Sequence, residues 1–172
     1  MTDLFLSLGS NQGNRKELLQ KAVRLIENEI GHICTLSHFY ETAPWGFESD
    51  NMFLNAAAHI QTDKNPTEIL LCTQSIEKLL GRTTKSSNGV YHDRTIDIDI
   101  LFYGGLCMDK NIIDPYGQPK RLTLPHPLLH LRDFVLKPMV EIAPTFIHPQ
   151  LQVSICTLWQ LQQSSMQTSN VK

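Results

Sequence analysis

The sequence has no strong excess of charge of either sign and no long apolar run. Its 172 residues include 15 Lys and Arg against 17 Asp and Glu, a formal net charge of −2. This balance argues against broad binding to nucleic acid or to an anionic membrane, although it allows a local basic pocket. No apolar stretch approaches the roughly 18 residues of a membrane helix, and Met1–Leu4 lacks the features of a signal peptide. We therefore expect a cytoplasmic protein.

Cysteine is scarce, and its wide spacing argues against a disulfide framework. The four cysteines stand at positions 34, 72, 107 and 156, with no Cys-x-x-Cys pair. Without a secretion signal we expect reduced thiols that fill the core. The length predicts one domain, residues 1–163, followed by a polar C-terminal tail, residues 164–172. A chain of this size buries about 70% of its unfolded surface, which is enough for a core.

The hydrophobic pattern predicts a mixed α and β domain. Apolar residues recur with a period of two in the predicted strands and at three- and four-residue steps in the predicted helices. The order corresponds to the βαββαβ arrangement of a ferredoxin-like α+β sandwich, with helices packed on an antiparallel sheet. We predict strands at 4–8, 33–41, 53–61, 95–102 and 134–139, short extended pieces at 111–113 and 121–124, and helices at 14–30, 65–80 and 153–162.

Two aspartates give the sharpest local signal for chemistry. Asp97 and Asp99 stand two residues apart on a predicted strand, so both side chains leave the same face, while Ile98 leaves the other. A pair of carboxylates so placed can hold Mg²⁺, which prefers oxygen ligands and retains waters and phosphate oxygens. The alternative is a solvated acidic face, which is ordinary in antiparallel sheets.

Cationic residues surround this pair in the sequence. Guanidinium forks bind phosphate in two-point contacts, so a polyphosphate could lie between Mg²⁺ and these cations; alternatively, each is only a solvated surface charge. His126, between two prolines, could add a hydrogen bond to phosphate. His126 and His130 are four apart, but the prolines disfavour the helix that a zinc pair at this spacing needs. The cations are Arg82, Lys85, Arg94, Arg121 and Arg132.

A second group of residues suits a flat heteroaromatic ligand. Phe53 and Asn55 share a face of one predicted strand, so a ring to stack on lies beside an amide that can read a ligand edge. Tyr40, Trp45 and Phe134 could extend this group, although an aromatic core with a capping Asn remains the alternative. The loop at 9–14 matches neither the Rossmann nor the P-loop phosphate motif.

Taken together, residues 3–150 resemble the 6-hydroxymethyl-7,8-dihydropterin pyrophosphokinase family. The resemblance rests on several ordered blocks at fitting intervals, which are far more specific than any single motif. The blocks are Leu8–Asn14, Tyr40–Gly46, Phe53–Ala56, Ile76–Arg82, Asp93–Leu101, Leu124–Pro127, Arg132–Leu136 and Glu141–Pro144.

The resemblance implies a step of folate biosynthesis. The family transfers the diphosphate of ATP to the hydroxymethyl group of 6-hydroxymethyl-7,8-dihydropterin, releases AMP and uses two Mg²⁺ ions. We expect a monomer that acts on small-molecule substrates and has no nucleic-acid or membrane partner. Asp97 and Asp99 would bind Mg²⁺, and with Arg82 and Arg94 they form the predicted catalytic set. The pterin would contact Thr42, Ala43, Trp45, Phe53, Asn55 and Phe134; the nucleotide would contact Gln74, Glu77, Lys85, Ile98, Arg121, Thr123, His126 and Arg132.

One segment departs from the family pattern. Many members carry further arginines and a Trp-Gly-Pro-Arg run within 82–95, where this chain has Thr84 in place of an expected arginine. Lys85, Tyr91 and His92 are the candidates to substitute, but lysine lacks the planar fork of arginine. Loops 9–14, 43–52 and 82–95 are expected to close over the site and exclude water.

Two other functions use the same residues. A Mg²⁺-dependent phosphohydrolase needs no pterin pocket, so its activity should survive Asn55→Ala. A ferredoxin-like nucleotide sensor or RNA-binding module would show no turnover, and a sensor would still bind ATP after Asp99→Asn. The charge of −2 and the missing exposed aromatic strand pattern count against RNA.

Overall fold

The computed structural model of the chain describes residues 1–82, 93–113 and 117–169. Lys85, Tyr91 and His92 lie outside these ranges, and so do the roles predicted for them. The strands are β1 (Thr2–Ser10), β2 (His32–Leu36), β3 (Tyr40–Thr42), β4 (Phe53–Thr62), β5 (Asp97–Tyr103), β6 (Met108–Ile113) and β7 (Pro119–Leu124). The α-helices are α1 (Arg15–Glu29), α2 (Pro66–Leu79), α3 (Asp133–Ile142) and α4 (Ile155–Ser169), and a 3₁₀ turn spans Leu129–Leu131.

The main sheet has the order β2-β4-β1-β5 and is antiparallel throughout. β3 continues along the same edge of β4 that β2 occupies, and β6 and β7 form a separate hairpin. With α1 after β1 and α2 after β4, this order confirms the predicted ferredoxin-like βαββαβ arrangement. No helix in the described ranges is long and apolar enough to cross a membrane.

Two apolar cores lie on opposite faces of the sheet. One face carries alternate residues of the central strands, such as Leu6 and Ile98, and packs against α1 and α2. The other face, represented by Phe5 and Leu101, packs against α3 and α4. Helices α3 and α4 leave one end of this sheet face uncovered. The polar residues of strands β1, β4 and β5 lie at that end.

Helix α2 begins where the sequence predicts. The Asn65 side chain accepts hydrogen bonds from the backbone N–H groups of Thr67 and Glu68, and the Glu68 carboxylate accepts one from the Asn65 N–H. This reciprocal capping satisfies donors that a helix otherwise leaves open, and Pro66 needs no such partner. The cap therefore sets the position of Glu77, three turns along the helix.

The expectation that the cysteines fill the core is wrong, because Cys34 and Cys107 are exposed and Cys72 and Cys156 are half-buried.

Three expectations about secondary structure also differ from the structure. The strand predicted at 134–139 is wrong, because these residues belong to helix α3, which buries Val135, Leu136 and Met139 at helical spacing. A short apolar run fits either element, and here packing against the sheet selects the helix. The strand predicted at 33–41 is interrupted at Ser37, whose hydroxyl accepts the Ala57 N–H bond of the ladder. Helix α4 runs to residue 169, beyond the predicted 153–162.

Candidate active site

Strand register gathers the polar residues at the uncovered end of the sheet. Gly9 of β1 lies opposite Asn55 on one side and Asp97 on the other, and Ser7 lies opposite Asp99. These residues therefore share the face that also carries Phe5 and Leu101, because side chains alternate along each strand. They form the floor of a cavity beyond the second core.

Gly9 permits the close approach that this floor requires. A Cβ atom at position 9 would lie 2.7 Å from Oδ1 of Asn55, well inside van der Waals contact. Asn55 is 3% exposed and donates from Nδ2 to Oγ1 of Thr42 at 2.7 Å. The absence of a side chain at Gly9 therefore lets the Asn55 amide lie across β1 and present its carbonyl side to the cavity.

The walls come from several other parts of the chain. Strand β3 and the segment after it, strand β4, the residue Arg82 after α2, the residue Arg94 before β5, and the region from the end of β7 to the start of α3 each contribute side chains. The cavity has a volume of about 250 Å³, slightly below the roughly 300–1,000 Å³ of sites for drug-sized ligands. Its walls contain Thr42, Ala43, Trp45, Phe47, Phe53, Arg82, Arg94, His126, Arg132 and Phe134.

The carboxylate of Asp97 is held by two arginines. Arg82 donates to its Oδ1, and Arg94 donates from Nη1 to Oδ2 at 2.5 Å. Burial lowers the pKa of Arg82, but the negative charges of Asp97 and Glu77 outweigh it, and the pKa lies above its ordinary value. The Arg82 guanidinium therefore stays charged beside the cavity.

Glu77 supports this arrangement from beneath the sheet. Its Oε1 accepts from Arg82 Nη1 at 2.6 Å and from the backbone N–H of Ile98 at 2.8 Å. The side chain is 2% exposed and that of Arg82 is 7% exposed. Glu77 thus links helix α2 to strand β5 and fixes the arginine that reaches Asp97.

Asp99 lies in a different electrostatic setting from Asp97. Burial raises the pKa of its carboxyl, and the neighbouring Asp97 raises it further. Arg132 offsets part of this effect, with its Nη1 3.7 Å from Asp99 Oδ2. The site thus pairs Asp97, whose carboxylate contacts two guanidinium groups, with Asp99, whose charge is only partly compensated and therefore favours an additional cation.

His126 is a neutral hydrogen-bond donor at the wall. Burial lowers the pKa of its imidazole, and the charge of Arg132 acts in the same direction against the opposing effect of Asp99. Its Nδ1 accepts the backbone N–H of Leu128 at 3.2 Å. The neutral ring therefore carries its proton on Nε2, which suits donation to a phosphate or ring acceptor.

Arg132 joins the charged and aromatic parts of the cavity. Its guanidinium carbon lies 4.8 Å from the ring centre of Trp45 and 5.6 Å from that of Phe134. The two rings are 6.3 Å apart. A guanidinium near aromatic rings is electrostatically favourable, so Arg132 orders these rings while its charge faces Asp99.

The structure brings together most of the predicted site residues. All four predicted catalytic residues and all six predicted pterin contacts line the cavity, as do His126 and Arg132. Arg121 and Thr123 instead bind Asp109 on the outer face of the β6–β7 hairpin. The Ile98 side chain belongs to the first core, and Gln74 and Glu77 lie on α2 outside the cavity lining.

Sequence reasoning missed three lining residues: Ser7, Gly9 and Phe47. The alternation of β1 places Ser7 and Gly9 on one face, but only the pairing with Asn55 and Asp97 shows that this face is the site. Phe47 lies in the segment between β3 and β4, and its ring meets that of Phe53 edge-on at 6.1 Å. No periodicity marks a residue in such a segment.

The donor set for a metal ion consists of Asp97 and Asp99. In the described ranges no three His, Cys, Asp or Glu side chains gather as a complete ligand set. Two carboxylates on one strand face, beside cations that suit phosphate, match the habit of Mg²⁺, which takes one or two carboxylates and completes its shell with waters and phosphate oxygens. The residues present therefore fit Mg²⁺ together with a phosphate ligand.

A family model and curated relatives match most of the chain. The model described as 7,8-dihydro-6-hydroxymethylpterin-pyrophosphokinase (HPPK) matches residues 5–144. A 2-amino-4-hydroxy-6-hydroxymethyldihydropteridine pyrophosphokinase of Porphyromonas gingivalis is 47% identical over 150 residues, covering 87% of this chain and 96% of the relative. The enzyme of the same name from Aquifex aeolicus is 39% identical, covering 87% of this chain and 85% of the relative.

Solved structures show the same fold. An HPPK-DHPS crystal structure in complex with substrates superposes with a TM-score of 0.82 at 16% identity, covering 97% of this chain and 44% of that one. A Plasmodium falciparum HPPK-DHPS superposes with a TM-score of 0.80 at 18% identity, covering 98% and 46%. This chain thus spans less than half the length of these structural relatives, and at this identity the likeness concerns the fold.

Proposed function

This chain belongs to the 7,8-dihydro-6-hydroxymethylpterin-pyrophosphokinase family, and we infer from that membership that it transfers the diphosphate of ATP to the hydroxymethyl group of 6-hydroxymethyl-7,8-dihydropterin. It is a transferase of folate biosynthesis, with ATP as co-substrate and AMP as product. The observation that supports this function at the level of residues is a single cavity in which an amide, aromatic rings, two carboxylates and arginines meet.

We propose that the pterin occupies the end of the cavity near Asn55. The Asn55 carbonyl and the Thr42 hydroxyl can read the hydrogen-bonding edge of the ring, with backbone near Ala43 and Trp45 helping. Phe53 and Phe134 supply faces for stacking, which aromatic side chains favour in an offset arrangement. Burial of Asn55 supports this role, because a buried amide discriminates strongly against ligands that leave it unpaired.

The phosphates are proposed to lie at the opposite end, beside Asp97 and Asp99. These two carboxylates would hold two Mg²⁺ ions, which supply positive charge to neutralise the transferred group. Arg82 and Arg94 already lie on the Asp97 carboxylate, so their guanidinium groups reach the region where phosphate oxygens would lie. His126 donates from Nε2, and Arg132 adds a further charge.

We propose further nucleotide contacts on the β6–β7 hairpin, strand β5 and helix α2. Arg121 and Thr123 project from the outer face of the β6–β7 hairpin, where a nucleotide extending out of the cavity could meet them. Ile98 could contribute only its backbone, because its side chain lies in the core. Gln74 precedes Glu77 by one helical turn on α2, and Lys85 completes the predicted set.

The proposed mechanism is in-line attack of the pterin hydroxyl oxygen on the β-phosphorus of ATP, with AMP as the leaving group. The chain would act by positioning both substrates and neutralising charge, which is how phosphoryl transfer is generally catalysed. The segments at 9–14 and 43–52 border the cavity and would exclude water, which would otherwise hydrolyse ATP.

One assay tests this function against its alternatives. The chain is incubated with MgATP, with and without the pterin, and the nucleotides are resolved. AMP formed only with pterin supports the transferase; ADP and phosphate in both reactions indicate a phosphohydrolase; unchanged ATP in both indicates a nucleotide-binding module. Asp97→Ala and Asp99→Ala should each lower AMP formation by several orders of magnitude, whereas the exposed Asp63→Ala serves as the control.

We also propose that residues 1–163 form one domain that acts as a monomer in the cytoplasm and binds no nucleic acid. Light scattering should give a mass near 19.6 kDa. A mass near twice that value would contradict the monomer.

A further inference from the structure

The carboxylate of Asp93 bridges two segments that are distant in sequence. Its Oδ1 accepts from Asn11 Nδ2 at 2.7 Å, and its Oδ2 accepts from Asn51 Nδ2 at 2.6 Å. Hydrogen bonds from Ser49, Asn51 and Asn11 hold the pKa of Asp93 below its usual value. One ionised side chain thus joins the segment after β1 to the segment before β4.

Asn11 extends this connection to the backbone of Arg94. Its Oδ1 accepts the Arg94 N–H at 2.7 Å, and its own backbone N–H donates to the Arg94 carbonyl at 3.1 Å. Asn11 is 3% exposed. Its side-chain amide therefore cannot hydrogen-bond to solvent, and these bonds within the protein satisfy it. The backbone of Arg94 is therefore held on both sides by one buried residue.

The connection leads directly into the cavity. The Arg94 guanidinium donates to Asp97 at 2.5 Å and lies 5.9 Å from the centre of the Phe53 ring. Asn51 lies at the end of the segment that carries Trp45 into the cavity wall. The three residues Asn11, Asn51 and Asp93, here termed the three-loop clasp, thus join two walls of the site without lining it.

We propose that the three-loop clasp is a positioning device for the transfer reaction: it sets the place of Arg94 over Asp97 and holds the 43–52 segment against the pterin. This inference rests on the proposed function. The clasp residues do not line the cavity, so they act through Arg94 and the 43–52 segment and are not catalytic residues. Loosening the clasp should weaken pterin capture more than it slows the chemical step.

The hydrogen bond between Asp93 and Asn51 can be tested by exchanging the two residue types between these positions. In Asp93→Asn, the new amide nitrogen faces the Asn51 amide nitrogen, and two donors meet. In Asn51→Asp, two carboxylates meet. In the double variant, Asn at 93 accepts from Asn11 and donates to Asp at 51, so the donor and acceptor pattern across these contacts is restored.

The test is a double-mutant cycle with two readouts. The first is kcat/KM for the pterin, which we expect to fall about tenfold in each single variant, mainly through KM, and to return to within about threefold of the parent in the double variant. The second is amide hydrogen exchange at Asn11 and Arg94, which should quicken in each single variant and slow again in the double. Asp50→Asn, an exposed neighbour on the same segment, controls for the loss of one charge.

Additive losses in the double variant, or unchanged exchange in Asp93→Asn, would overturn the proposal. Equal Tm values across the set show that the fold is intact, and rescue by the double variant separates a specific contact from general loosening. If the parent chain forms no AMP with pterin, the proposed function fails, whereas the exchange readout still tests the clasp.

Discussion

Replacing Glu77 tests whether this residue supports the fold or contacts the nucleotide. The family resemblance places it among nucleotide contacts, but the structure buries it between α2 and β5, where one oxygen accepts from Arg82 and from the Ile98 N–H. Glu77→Ala removes both bonds and one of the carboxylates that compensate a buried guanidinium. We therefore expect a large loss of folding stability.

The magnitude follows from these contacts. Breaking a buried ion pair by removing one partner costs about 3–5 kcal/mol, and an unsatisfied buried N–H costs about 1–3 kcal/mol. Asp97 still faces Arg82 in the variant, so the lower end applies, and we expect about 3 kcal/mol. For a chain of this size that corresponds to a fall in Tm of about 6–12 °C. Glu77→Gln keeps one acceptor oxygen and should lose about half as much.

Urea unfolding followed by circular dichroism measures this free energy directly. Glu29→Ala, an exposed glutamate on α1, is the matched control and should stay within about 0.5 kcal/mol of the parent. A Glu77→Ala variant as stable as this control, with a raised KM for ATP, would refute the structural role and favour a direct nucleotide contact.

Three further predictions concern pH, the cavity floor and ligand binding. Burial lowers the pKa of His148, so the stability that neutral His148 contributes is full above about pH 6.5 and is lost as pH falls below that value. Urea unfolding between about pH 5 and 7 should therefore show a smaller loss of folding free energy on acidification in His148→Asn than in the exposed control His32→Asn. Equal dependence on pH in the two variants would contradict this. Gly9→Ala should raise KM for the pterin at least about tenfold by displacing Asn55, and normal KM would remove Gly9 from the floor. Saturating pterin should change the fluorescence of Trp45, measured against a Trp45→Phe control, and an unchanged spectrum would place the ligand elsewhere.

Much of the architecture follows from local patterns in the sequence. The alternation around Asp97 and Asp99 identifies a strand with both carboxylates on one face, and the Asn65 cap identifies the start of α2. These signals are readable because they depend on residues within one or two turns of each other. The ordered family blocks add the reaction, and the cavity gathers all the predicted pterin contacts.

Other features arise only from pairings over long sequence distances. Gly9 joins the floor because β1 lies between β4 and β5 in one particular register, and the apolar run at 134–139 becomes a helix because the sheet offers it a face to cover. The role of Asp93 depends on its hydrogen bond with Asn11, which lies 82 residues away in the sequence. The sequence by itself therefore determined most of the elements and the chemistry they carry, whereas the tertiary structure decided that residues 134–139 form a helix and which faces and side chains meet. The physical reason is that periodicity and capping act between near neighbours, while a site depends on contacts that exist only after the chain has packed.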